Sequence, residues 1–299
     1  MGINIEEVDN IKKILISSIA SDDDLMEQMV LKGGNAISLG YGLSERPSYD
    51  LDYSLEDDFE DHSIVFKRLE ELISEGLNTN NYHLYDFSYK IKPMSQTQNH
   101  DFWGGYEILF KVISLDKWKE YNYDVEKARR GGSVIFHENG SPTFSVDISK
   151  FEYVEKKTLT TINDINLYIY MPLLIVAEKI RALCQRLPEY TTEILQQKEK
   201  RLKSRARDFY DIYILKENFP FDHNSDEFIQ TLNKVFEAKR VPMDYIYKIH
   251  TMKEYHASDF LSVRETSTDT VLKNNDFDFF FQYVINIINE LKIDETTSH

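Results

Sequence analysis

Pro172 divides the sequence into two textures, and the division limits the folds open to it. Ahead of it lie runs that read as strands, at 28–32, 49–55, 82–91, 106–115 and 143–153, with shorter pieces near 156–161 and 166–170. Helical patterns fall among them at 3–20, 35–43, 62–76 and 116–129, with a short capped helix opening near Ser21. Pro172 itself suits the first turn of a helix. Behind it nearly everything reads as helix, at 172–186, 189–203, 204–217, 225–240, 241–264 with a break, and 275–292. The last of these carries Phe277, Phe280, Phe281, Val284, Ile287, Ile288 and Leu291 on one stripe, a core-facing pattern. This order predicts an α+β chain in which a mixed sheet flanked by helices, residues 1–160, precedes an all-helical domain, residues 161–299.

Composition narrows the function classes. A formal net charge of −16 opposes broad, non-specific nucleic-acid binding, which needs clustered Lys and Arg, but leaves room for a local basic patch. The single cysteine, Cys184, excludes an intrachain disulfide and a Cys-based zinc site. The histidines show no metal-ligand spacing, and there is no P-loop, Rossmann fingerprint or Gly-x-Ser-x-Gly. The N-terminus lacks the basic and apolar regions of a signal peptide, and the longest apolar run, 167–177, is too short to cross a bilayer. These features predict a cytoplasmic protein with no membrane partner.

Four features carry chemistry. The first is Gly33-Gly34 followed by Asp50-x-Asp52, with a polar loop between them that holds Arg46 and Ser48. Residues i and i+2 of a strand share a face, so the carboxylates of Asp50 and Asp52 project together. Two such groups repel unless a cation lies between them, and magnesium is the usual one where phosphates are handled. The second is Asp147, on the polar side of a strand whose Phe144, Val146 and Ile148 point the other way. It is the candidate third carboxylate of a metal site and a candidate acceptor for the proton of an attacking hydroxyl. The third is a helix bearing Lys179 and Arg186, cations suited to a triphosphate. The fourth is the run Arg205-Ala-Arg207-Asp208-Phe-Tyr-Asp211, in which Arg207, Asp208 and Asp211 are helical neighbours. Lys198, Lys200, Arg201, Lys203 and Arg205 lead into it and form the most basic stretch of an acidic chain. Each feature also has a plain structural reading: an exposed strand edge, a solvated charge, an internally paired helix.

Taken together, the GGNA segment, the R-P-S-x-D-L-D segment, the later strand aspartate, AEKIRAL and RARDFYD resemble the AbiEii/AbiGii toxin family, nucleotidyltransferase-like proteins of the DNA polymerase β superfamily. The resemblance covers roughly residues 28–216. It implies a polymerase β-like mixed sheet followed by helices that close a cleft. It maps the Gly-rich motif and its paired aspartates onto Gly33, Gly34, Asp50 and Asp52, the lysine helix onto Lys179, and the Arg-x-Lys-Asp motif onto Arg205, Arg207, Asp208 and Asp211. Gly34 stands where the wider superfamily has Ser, Asn35 where this family often has Thr, and Arg207 where it has Lys; no carboxylate is lost.

The implied activity is transfer of a nucleotide from an NTP, with Mg2+ or, in its place, Mn2+. Asp50, Asp52 and Asp147 would hold the metal. Gly33, Gly34, Arg46, Ser48, Lys179, Arg207, Asp208 and Asp211 would hold the nucleotide. The basic stretch from Lys198 to Arg205 would receive an RNA acceptor, tRNA foremost. The resemblance also implies a toxin of a toxin–antitoxin or abortive-infection (anti-phage) system, with a cognate antitoxin as partner. Two alternatives stay open: a small-molecule nucleotidyltransferase of the antibiotic-modifying kind, and a non-catalytic partner-binding protein on the same fold.

Overall fold

A computed structural model describes residues 3–43, 48–93, 101–198 and 203–293. Its centre is a seven-stranded mixed sheet. The strands are β1 (Val30–Lys32), β2 (Leu51–Ser54), β3 (Tyr82–Lys92), β4 (Gly105–Ser114), β5 (Thr143–Ser149), β6 (Lys157–Ile162) and β7 (Ile165–Tyr170). They lie in the order β3-β4-β5-β2-β1-β7-β6. β2 runs parallel to β5, and β1 parallel to β7; the other neighbours are antiparallel.

Alternation decides which face of this sheet is dry. Leu51 and Tyr53 of β2 pair with Val146 and Ile148 of β5, and these in turn with Ile108 and Tyr106 of β4. All six are buried. Helices Ile5–Ala20 and His62–Thr79 pack on each other and against the sheet, and the ring of Phe66 meets that of Tyr106 at 4.9 Å. The residues between, among them Asp52 and Asp147, point to the opposite face, towards the C-terminal helices.

Those helices are organised on Pro172–Cys184. Met171 is extended ahead of it and Pro172 occupies the first turn. A helix buried on nearly every side serves as the axis of its neighbours, and this one packs on Ala206–Asn218, Asp226–Ala238 and the 3-10 helix Met243–Met252. Helix Phe277–Glu290 closes the group with its predicted stripe buried, Phe280 and Phe281 meeting Tyr210 and Phe209 at 5.6 and 5.4 Å. No helix of the described residues is long and apolar enough to cross a membrane.

Four expected helices differ in form, the one at 241–264 being the 3-10 helix Met243–Met252 followed by Lys253–Ala257 and Phe260–Glu265. The one expected at 116–129 is two, Leu115–Glu120 and Val125–Arg130. Asn122 and Tyr123 take left-handed conformations (φ 53° and 64°), and Asp124 then caps a new first turn. Of the helix expected at 189–203, residues 199–202 lie outside the described residues, and the described part is a single π-turn, Tyr190–Ile194, with Gln196 following at φ 51°. The helix at 35–43 is one α-turn, Gly33–Asn35, continued as π-helix Ala36–Gly40.

Candidate active site

Strand register builds the site. Lys32 of β1 pairs with Asp52 of β2, Asp52 with Asp147 of β5, and Asp147 with Glu107 of β4. Directly paired residues share a face, so these four charges form one row across the sheet. Asp50 lies two residues before Asp52 and joins the row's acidic centre. One oxygen from each of Asp50, Asp52 and Asp147 lies within 4.8 Å of the others. The donors are hard carboxylate oxygens from neighbouring backbones, a set that suits a hard divalent cation and not a thiolate- or imidazole-bound one.

The approach to the carboxylates is fixed from below. The Asn35 amide donates to the Asp50 carbonyl, and Ser48 Oγ lies 3.4 Å from Asp50 Oδ1. Buried Lys12 donates to the Ser48 carbonyl at 2.9 Å. Gly33 has φ +66°, and a Cβ there would stand 2.5 Å from Asp52 Oδ2. Only a residue without a side chain lets this backbone take that turn and leaves the carboxylate its place.

Burial and the charge of Asp50 push the Asp52 carboxyl up to about 7; Lys32 opposes them. Burial alone would lower the Lys32 ammonium, but Glu178 at 2.8 Å and Glu152 outweigh it and hold it charged. Asp147 is met by a different cation, Lys92 at the end of β3, whose Nζ is 2.5 Å from Asp147 Oδ1 and 3.2 Å from Glu107 Oε1.

A cleft of about 530 Å³ opens above Asp50 and Asp52. Of the residues expected to bind nucleotide, Gly33, Gly34, Ser48, Lys179, Arg207, Asp208 and Asp211 all line it. Lys179 is buried and donates to Asp208 at 3.0 Å and Asp211 at 2.7 Å. Burial would lower its pKa, but these two carboxylates raise it above the ordinary lysine value. Arg186 also faces the cleft; its Nε is buried without a hydrogen-bond partner, and burial beside Arg205 lowers its pKa to about 10. A guanidinium so placed keeps a donor free in the cleft.

The basic stretch does not form one patch among the described residues. Arg205 turns into the cleft and binds Asp208. Lys203 lines the same cleft, whereas Lys198 is exposed away from its lining. Arg46, Lys200 and Arg201 lie outside the described residues.

Sequence reasoning missed Lys32, Lys92 and Glu107, the cations and the outer acid of the charge row. Glu107 stands on the polar side of an alternating strand, as Asp147 does, and that alternation was the available signal. It also missed Tyr49 and Glu138, which line the cleft and hydrogen-bond at 3.0 Å.

A model of the nucleotidyl transferase AbiEii toxin family, of type IV toxin–antitoxin systems, matches residues 14–282. The chain belongs to that family. No curated protein matches this AbiEii-family chain. Solved structures similar to it include a candidate nucleotidyltransferase from H. pylori, at 16% identity and TM-score 0.48, covering 97% of this chain and 95% of that one. MenT4, a nucleotidyltransferase toxin of Mycobacterium tuberculosis, matches at 12% identity and TM-score 0.36, covering 96% and 93% of the respective chains. An antigenic nucleotidyltransferase-like protein from Paracoccidioides brasiliensis matches at 16% identity and TM-score 0.34, over 79% of this chain and 96% of that one.

Proposed function

We propose that this AbiEii-family nucleotidyltransferase toxin transfers a nucleotide from an NTP to an RNA acceptor, tRNA foremost, in a magnesium-dependent reaction. The observation that carries the reading is the convergence of Asp50, just ahead of β2, with Asp52 of β2 and Asp147 of β5 within 4.8 Å of one another, Asp50 and Asp52 lying at the floor of a cleft whose wall holds Lys179, Arg186, Arg205 and Arg207. Asp50, Asp52 and Asp147 would hold the metal, which when bound supplies charge stabilisation at the phosphoryl oxygens. The backbone at Gly33-Gly34, with Ser48, holds the triphosphate from below. Lys179, fixed by Asp208 and Asp211, and the unpaired Arg186 neutralise it from above. Asp147 accepts the proton of the attacking hydroxyl once Lys92 has left it. Catalysis of this kind is chiefly positioning and electrostatics. As a toxin-family member the chain would be restrained by a cognate antitoxin.

The test is incubation with each labelled NTP, magnesium and total RNA, with a small-molecule acceptor panel in parallel. Wild type labels RNA, and Asp50→Ala and Asp52→Ala reduce labelling by more than about a hundredfold. Labelling that survives either substitution sinks the assignment of the site, and labelling of small molecules alone replaces RNA as the acceptor.

A further inference from the structure

A transferase needs two substrates at one set of carboxylates, and the cleft accounts for one of them. On the other side of Asp52 lies a smaller cavity of about 250 Å³. It shares Gly33, Asp52, Lys179 and Arg205 with the cleft, so the two spaces meet at the carboxylate floor. Ser149 also lines it, two residues along β5 from Asp147 and therefore on the same face. Asp52, one of the three clustered carboxylates, is thus reached from both spaces.

The lining of this cavity differs in kind from that of the cleft. Its charges are already matched: Lys32 to Glu178 at 2.8 Å, Arg181 to Glu152 at 2.7 Å and to Glu178 at 3.2 Å. Such a wall suits an uncharged polar group, a ribose and its hydroxyls, better than a polyphosphate. At the cavity's edge stands Trp103, 37% exposed and without a ring partner among the described residues. The other tryptophan, Trp118, stacks on His83 at 4.5 Å. An indole left in water beside a polar cavity forfeits burial that its size would otherwise reward.

We infer that this cavity receives the terminal nucleotide of a single-stranded RNA acceptor and that Trp103 is the platform on which its base stacks. The inference rests on the proposed RNA-transferring reading and names the acceptor subsite within it. An unpaired strand end presents a base face and a free hydroxyl together, and every base stacks on an indole, so the platform demands a strand end and not a sequence. It also moves the acceptor from the basic stretch at 198–205 to the β4–β5 side of the sheet.

The test uses the full chain with Trp118→Phe, which leaves Trp103 as the only indole, and with Asp50→Ala to prevent turnover. Titration with a short single-stranded RNA bearing a free 3′-hydroxyl should quench the Trp103 fluorescence to saturation. A blunt RNA duplex and an NTP with magnesium should not. Trp103→Ala should weaken RNA binding about tenfold, with Trp103→Phe recovering most of it. In the active protein, Trp103→Ala should raise KM for RNA about tenfold and leave KM for the NTP unchanged. Absence of quenching by the strand end, quenching by the NTP alone, or equal RNA binding by Trp103→Ala overturns the inference. Transfer to RNA that is indifferent to Trp103 removes this subsite alone, whereas absence of transfer to any RNA removes the acceptor reading beneath it.

Discussion

At Asp52, burial and the charge of Asp50 both oppose ionisation, and the structure keeps the carboxyl there nonetheless. Raised from 3.8 to about 7, it binds its proton more tightly in the folded chain than in the unfolded one. Its contribution to metal-free stability therefore falls as pH rises between about 4 and about 7 and is level above. Asp52→Asn removes that cost. The variant should melt a few degrees higher than wild type in EDTA at pH 8, with the gain shrinking towards pH 5. Added magnesium should raise the melting temperature of wild type and leave the variant unmoved. A variant less stable than wild type in EDTA at pH 8 would show that the carboxylate is not strained. The residues of this centre were legible because alternation is a local property: Asp50, Asp52 and Asp147 each announce their face from their immediate neighbours. Lys32, Glu107 and Lys92 were not, because what they touch depends on which strand lies beside which, and one sequence carries no register.

Among the elements, the helices on the cleft side are tied to the sheet by a buried lysine. Lys239 caps helix Asp226–Ala238 and donates to the carbonyls of Phe102, Lys150 and Phe151 at 3.2, 2.7 and 3.0 Å, with Glu152 at 3.3 Å. Lys239→Met would take a shared buried cation from the carbonyls of Lys150 and Phe151 and from Glu152. It should cost about 3 kcal/mol in urea unfolding, while a Lys156→Met change at its exposed pair with Glu227 costs less than about 1 kcal/mol. Equal effects would mean that water replaces the lysine at this seam. Nothing in the local sequence marks Lys239, since its partners come from loops well over a hundred residues earlier for Phe102 and nearly ninety for the others. Helix Pro172–Cys184, by contrast, was readable from its proline and its apolar run, and helix Phe277–Glu290 from its stripe. The helix expected at 116–129 failed on Asn122 and Tyr123, whose left-handed turn is a two-residue matter that helical periodicity averages away.

Over the whole molecule, the dry face of the sheet is covered by helices from its own half of the chain, Ile5–Ala20 and His62–Thr79. The other half meets the sheet through Lys239, through the buried pairs Lys32–Glu178 and Arg181–Glu152, through Tyr41 against Phe219 at 5.0 Å, across the cleft, and through apolar residues of helix Pro172–Cys184 that join the same core. Residues 1–171 expressed alone should keep a mixed α/β circular dichroism spectrum and a cooperative thermal transition at a lower temperature than the full chain, since the dry face of the sheet stays covered while apolar residues that met helix Pro172–Cys184 are exposed. A fragment with neither would show that the C-terminal helices are part of the sheet's own core. The change of texture at Pro172 marks where the helices begin, and the sheet takes in β7, Ile165–Tyr170, beyond the boundary expected at residue 160.

The row Lys32, Asp52, Asp147, Glu107 has a consequence for how such a chain can change over generations. Its members are aligned by backbone pairing, and the residues on either side of Asp52 are Leu51 and Tyr53, buried in the opposite layer. Losing or gaining one residue within Leu51–Ser54 would turn Asp52 into that layer and Tyr53 into the cleft, undoing fold and reaction at a stroke. Substitution can silence the aspartates one at a time with the scaffold intact, but no small step can relocate them. Lineages that escape the toxin should accordingly carry intact sheets with altered carboxylates, and length changes should gather in the loops between strands.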